Sequence, residues 1–158
     1  MILKYISSGF SLVFISFIVG MLMSALIRKT GFYRTTLSHL NFIKEERLNN
    51  LLGVGMVKWV IKNTFFKFLN QKIKMDTKMS LSDLKNLRNE MTKAEIDHLF
   101  AFLFVLGFVA VQLIGQQYLY AAIILFLNLL MNLHPALIQQ QNKRRLDRLL
   151  VWVSRQKI

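Results

Sequence analysis

Tyr5 to Ile27 runs without a single charged residue and then meets Arg28 and Lys29. A helix needs about 20 apolar residues, each rising about 1.5 Å, to cross a bilayer. In lipid every backbone N–H and C=O must be paired within the protein, so only helices and closed barrels can span. One proline and 7 glycines in 158 residues argue for helices without long flexible linkers. No internal repeat interrupts that reading. A secretory signal peptide is the rival for the first run, because Lys4 precedes it. The run is long for a signal's apolar core, and Met23-Ser24-Ala25 is a poor cleavage site. An uncleaved anchor is therefore expected.

The chain is 54% hydrophobic with a mean hydropathy of +0.39, yet it carries 21 Lys+Arg against 8 Asp+Glu. Basic nucleic-acid binders lack apolar spans, so no nucleic-acid partner is expected. Basic residues instead collect on the cytoplasmic side of membrane proteins. Fourteen of the 21 lie between Arg28 and Lys93, and Lys143, Arg144, Arg145 and Arg148 form a second block. Putting both blocks in the cytoplasm requires one crossing and then a hairpin. The expected fold is an all-α membrane protein with about three transmembrane helices, plus amphipathic interfacial helices in a basic cytoplasmic middle segment. It forms one integral-membrane domain over 1–158. The first span is 5–27, the basic segment 28–92, the hairpin 93–114 and 117–141, and the basic tail 142–158. The N-terminus would lie outside and the C-terminus in the cytoplasm, in the cell membrane.

Within the middle segment, Lys44 to Leu52 suits a short helix. Val57 to Leu69 interleaves Trp59, Phe65, Phe66 and Phe68 with Lys58, Lys62 and Lys67. Such interleaving fits a helix lying in the headgroup layer. A core-facing helix with solvated lysines fits equally well. Ser80 or Ser82 can cap a third short helix reaching about Asn89, with Asp83 three residues after Ser80. Thr92 and Glu95 repeat the capping pattern before a long apolar run, which predicts a helix from about Lys93 to Ile114. Gly115-Gln116-Gln117 reads as a turn, and Tyr118 to about Gln141 as the return helix. Lys143 to Val153 reads as a basic exit helix.

Polar residues run down the return helix: Asn128, Asn132, Gln139 and Asn142, with Pro135 among them. Their offsets follow one helical face. In lipid such amides are costly unless they face protein, water or a ligand. Pinning the hairpin at Gly115 places His98, 17 residues before it, level with Asn132, 17 after it. Glu95 shares a face with His98 and falls level with Pro135, beside His134. His98 is the candidate general base and Glu95 its supporting carboxylate. Asn128, Asn132, His134, Gln139 and Asn142 are candidate substrate ligands, through hydroxyl or carbonyl contacts or as an oxyanion donor. Arg144 and Arg145 are candidate phosphate holders. Each residue also has a plain structural role open to it: a capping glutamate, an interfacial histidine, amides that glue helices, and positive-inside arginines.

There is no cysteine, so disulfides and Cys-based metal sites are excluded. Glu95-x-x-His98 is not a His-Glu-x-x-His motif and His39 is distant, so no metal site is expected. No phosphate-binding glycine loop, serine elbow or dinucleotide fingerprint is present.

Ala94-Glu95-x-x-His98, followed by two apolar spans and then Asn132-x6-Gln139-x2-Asn142-x2-Arg145-Leu146, resembles the glycosyl diaponeurosporenoate acyltransferase family. The similarity is clearest over about the last 65 residues. Pro135 stands three after Asn132, where that family's pattern has it two after, and Gln140 and Gln141 replace its aromatic and basic residues. The resemblance implies a membrane O-acyltransferase that moves a fatty acyl group to a sugar hydroxyl of a glycosylated carotenoid. It implies no cofactor beyond an activated acyl donor such as acyl-CoA, an apolar glycosylated substrate, and membrane lipids as surroundings. Glu95, His98, Asn132, Gln139, Asn142 and Arg145 match its pattern. The alternative is a non-enzymatic small helical subunit or scaffold of a membrane complex, with the amide stripe as helix glue. A nucleotide-using membrane enzyme is a third reading, with nothing in the chain to specify its cofactor.

Overall fold

The structure is a computed structural model, and it describes residues 1–40, 43, 53–55, 59, 63 and 80–155. Every long element is a helix, and there is no strand among the described residues. α1 spans Ile2–Ile27, followed by the single-turn α2 (Gly31–Thr35) and a 3₁₀ turn at Leu37–His39. α3 spans Leu81–Ile114 and α4 spans Tyr118–Asn128. A π-helical segment, Leu129–Leu133, joins α4 to α5, His134–Arg155. By length and composition α1, α3 and the continuous α4–π–α5 rod are each able to cross a membrane. The expected interfacial helices at Lys44–Leu52 and Val57–Leu69 lie outside the described residues, except for the exposed Trp59 and for Asn63, whose Nδ2 donates to the Trp59 carbonyl.

Two expected boundaries are absent. The helix expected to begin near Lys93 starts at Leu81 and absorbs the short helix before it. Its true cap is upstream. Ser80 N and Oγ both donate to Asp83 Oδ2, and Asp83 N donates back to Ser80 Oγ, a reciprocal capping box. Thr92 does not cap. Its hydroxyl donates back to the Arg88 carbonyl inside the continuing helix. No glycine or proline stands between Ser80 and Gly107 to stop the helix, and Leu87, Arg88, Glu90, Met91, Lys93, Ala94 and Glu95 all favour it. The second missing boundary is at Gln141, where the return helix runs on through the basic exit segment to Arg155.

The turn at Gly115-Gln116-Gln117 is where the sequence puts it. Gln116 takes the left-handed conformation at φ 56°. Its N–H bonds the Leu113 carbonyl, and the Gln117 N–H bonds the Gln112 carbonyl. That pair of bonds is a Schellman cap, which satisfies carbonyls left open at the end of α3.

The chain divides into two compact units. The first comprises Met1–Leu40 and Lys93–Ala136. Its core joins Val105 and Val109 of α3 to Ala121 and Ile124 of α4, with Leu12 of α1 against them. α1 turns a small-residue face inward: Gly9, Val13, Ser16, Gly20 and Ser24 are its buried positions. Small residues let helix backbones approach closely where lipid tails offer no hydrophobic drive. A Cβ on Gly20 would collide with the Asp97 carbonyl and lie 3.0 Å from both Ala101 N and Ala101 Cβ, so only glycine allows this crossing. Near the other end of α1, Tyr5 stacks on Tyr120 at 4.7 Å, and Ser8 Oγ and Tyr120 Oη are 2.6 Å apart.

The second unit comprises Asn41–Thr92 and Leu137–Ile158. Leu84 and Met91 of α3 pack on Leu146 of α5, flanked by Leu87, Leu149, Leu150 and Val153. Arg88 and Asp147 form an ion pair across this contact. Gln140 is buried and its Oε1 accepts the Ile43 N–H at 3.0 Å.

Candidate active site in the first unit

The polar residues of the first unit form a chain of hydrogen bonds whose direction can be derived. Ser16 Oγ donates its only hydrogen to the Val13 carbonyl at 2.6 Å, so toward Asn132 it can only accept. Asn132 Nδ2 supplies that hydrogen at 3.1 Å. Asn128 Nδ2 donates to the Phe102 carbonyl at 3.1 Å, which turns its Oδ1 toward Asn132. Asn132 Nδ2 donates there too, at 2.8 Å. Two backbone carbonyls, one on α1 and one on α3, thus fix the orientation of both amides. Asn132 spends both of its N–H groups, and only its Oδ1 is left to act.

That oxygen has no hydrogen-bond partner among the described residues, although Asn132 is fully buried. His98 stands level with it across the hairpin, one turn before the Phe102 carbonyl that Asn128 bonds. His98 Nδ1 is also buried and unpartnered among the described residues. Phe17 of α1 meets the imidazole edge-on, with centroids 5.7 Å apart. Glu95, one turn before His98, is fully buried. Buried polar atoms without partners are costly, at about 1–3 kcal/mol each. Such atoms call for an explanation in terms of a ligand or a reaction.

The hairpin arithmetic is visible in these contacts. Phe102 and Asn128, which bond across the hairpin, are symmetric about Gly115, and so are His98 and Asn132 one turn further along. His134 sits differently. Its Nδ1 lies 2.7 Å from the Leu129 carbonyl, which also accepts the His134 N–H. The imidazole thus supports the π segment just ahead of Pro135, whose ring nitrogen has no hydrogen to give. π turns are rare and concentrate at functional positions, and this one contains Asn132. Gln139, Asn142, Arg144 and Arg145 belong to the second unit, where the first three are half-buried and Arg145 is exposed. Among the described residues no group of three His, Asp or Glu side chains is placed to hold a metal ion.

A second feature of the first unit is an apolar groove of about 440 Å³ lined by Ile6, Ala122, Ile123, Phe126 and Leu127, between α1 and α4. Sequence reasoning missed both this groove and the part α1 plays. Ser16, Phe17 and Gly20 all touch the polar cluster or its walls, yet nothing in their types or spacing marks them apart from any other membrane helix.

A search of protein families matches residues 29–151 to the model of glycosyl-4,4'-diaponeurosporenoate acyltransferase. The chain belongs to this family. The match covers the hairpin, the basic middle segment and most of α5, and starts just beyond α1. It agrees with the resemblance carried by Glu95, His98, Asn132, Gln139, Asn142 and Arg145. Membership makes the chain an acyltransferase-family protein acting on a glycosyl carotenoid, and its apolar helices make it a membrane protein. No curated protein and no solved structure matches it.

Proposed function

We propose that the protein is a membrane O-acyltransferase in which His98 is the general base. The observation that carries this reading is that His98 Nδ1 and Asn132 Oδ1, level with each other across the hairpin, are both buried and without a hydrogen-bond partner among the described residues. With its Nε2 protonated, the imidazole offers Nδ1 as an acceptor for a substrate hydroxyl. As the sugar oxygen attacks the acyl carbonyl carbon, the hydroxyl proton passes to Nδ1. The carbonyl carbon becomes tetrahedral and its oxygen takes the negative charge. Collapse expels the leaving group of the activated donor, a thiolate if the donor is an acyl thioester, and His98 returns the proton to it. Positive charge builds on the imidazole during the first step, and the fixed oxygen of Asn132 favours it there.

Asn132 is not an oxyanion donor in this scheme, because Ser16 and Asn128 already hold both of its hydrogens. The apolar groove beside Phe126 and Leu127 suits a hydrocarbon chain, and it is walled by α1, which carries Ser16, and by α4, which leads into the π segment holding Asn132. The charge distribution supports a membrane orientation with α1 entering from outside and the basic segments in the cytoplasm.

The test is acyl transfer from palmitoyl-CoA to glycosyl-4,4'-diaponeurosporenoate by the full chain in lipid nanodiscs. His98→Ala should lose at least ~100-fold in kcat, the usual contribution of a general base. A folded His98→Ala protein with wild-type turnover would remove the base from the mechanism.

A further inference from the structure

We infer that Ser16, on α1 and outside the family match, is a positioning residue for the reaction. This rests on the proposed role of His98 and extends it to a helix that the match does not reach. A carboxamide has two chemically opposite ends of nearly equal size, so a buried asparagine needs its neighbours to say which end points where. Asn132 has two such neighbours. Asn128 takes one hydrogen and Ser16 takes the other. Ser16 is itself locked, because its own hydrogen goes to the Val13 carbonyl one turn back. It is fully buried, so water cannot substitute for it.

Without the Ser16 oxygen, one Asn132 hydrogen loses its acceptor. The flipped carboxamide, with Nδ2 toward His98, then costs one hydrogen bond less to reach, since only Asn128 still opposes it. There it presents a positive end where the imidazole gains positive charge in the transition state. The apolar groove between α1 and α4 keeps its lining. The effect therefore falls on turnover and not on affinity. Ser16 touches neither reacting atom and acts only through Asn132.

The experiment is a double-mutant cycle on the full chain in nanodiscs, with palmitoyl-CoA and glycosyl-4,4'-diaponeurosporenoate. Ser16→Ala should lower kcat by about tenfold, the scale of one buried hydrogen bond, while the acceptor KM stays near the wild-type value. In an Asn132→Ala background the same change should add nothing, because the residue through which it acts is gone. Ser16→Cys, close to serine in size and a weak acceptor, should lose turnover like alanine and keeps the test available if Ser16→Ala fails to fold. Wild-type kcat in the folded serine variants, or a full additional loss on top of Asn132→Ala, would overturn the assignment. His98→Ala separates the two proposals: an active His98→Ala protein refutes the base, whereas an inactive one beside a fully active Ser16→Ala refutes only Ser16.

Discussion

Gly20 offers a direct test of whether the crossing of α1 on α3 holds the polar cluster together. A methyl group at this position would run into the Asp97 carbonyl and would sit 3.0 Å from Ala101 N and Cβ. The obstacle is mostly backbone, so no side chain can swing aside. To restore ordinary contact the helices must part by roughly 1 Å at this point. Ser16 lies one turn away on the same face of α1, and its bond to Asn132 is 3.1 Å long. Adding about 1 Å takes that bond out of hydrogen-bonding range. Overpacking costs about 1–3 kcal/mol and the lost bond about 1 kcal/mol more. Gly20→Ala should therefore lower the melting temperature in detergent and cut acyl transfer by at least ~10-fold. Gly107→Ala is the control, since a Cβ there meets nothing within 4 Å. It should leave both measurements near wild type or slightly raise stability, because alanine favours helix over glycine by about 1 kcal/mol. If Gly20→Ala melts and turns over like Gly107→Ala, the close crossing is not part of the working protein and the derivation of the Ser16–Asn132 contact fails with it.

Gly9 is a milder case: a Cβ there meets the Leu127 Cδ1 tip, which can rotate, so Gly9→Ala should cost less than Gly20→Ala in the same melting assay. Asn128→Leu leaves one buried Asn132 hydrogen without an acceptor and should destabilise by about 1–3 kcal/mol on chemical denaturation, with turnover falling alongside. A stable and fully active Asn128→Leu protein would show that the amide network is dispensable. Arg88 and Asp147 are partly solvent-exposed, so Arg88→Ala should cost no more than about 1 kcal/mol. Exchanging the two charges should recover most of that loss if the ion pair itself matters. Ser80→Ala removes the acceptor of the Asp83 N–H, and hydrogen exchange at the first turn of α3 should rise while the helix centre stays protected.

The long-range frame was legible because it rests on length, charge and counting. The uncharged run from Tyr5 to Ile27, the turn at Gly115 and the equal rise of two antiparallel helices are enough to bring His98 to Asn132. Helix ends were less legible. Thr92 and Glu95 look like a cap, but a threonine inside a helix can bond back to a carbonyl, and strong helix formers on both sides decided which happened. The direction of the amides was not legible at all. It depends on Ser16 and on carbonyls of Val13 and Phe102, which lie far from Asn132 in sequence and carry no signature of their own.

That direction has a further meaning. Every hydrogen in the network flows away from Asn132, toward a carbonyl on α1 at one end and a carbonyl on α3 at the other. The arrangement works as a small battery of aligned amide dipoles with its negative pole beside an imidazole. Aspartate at position 132 would have the same outline and the reverse wiring, since it would offer oxygen to two partners that already present oxygen. On the proposed mechanism, the oriented amides add partial negative charge beside His98 without burying a further full ionic charge.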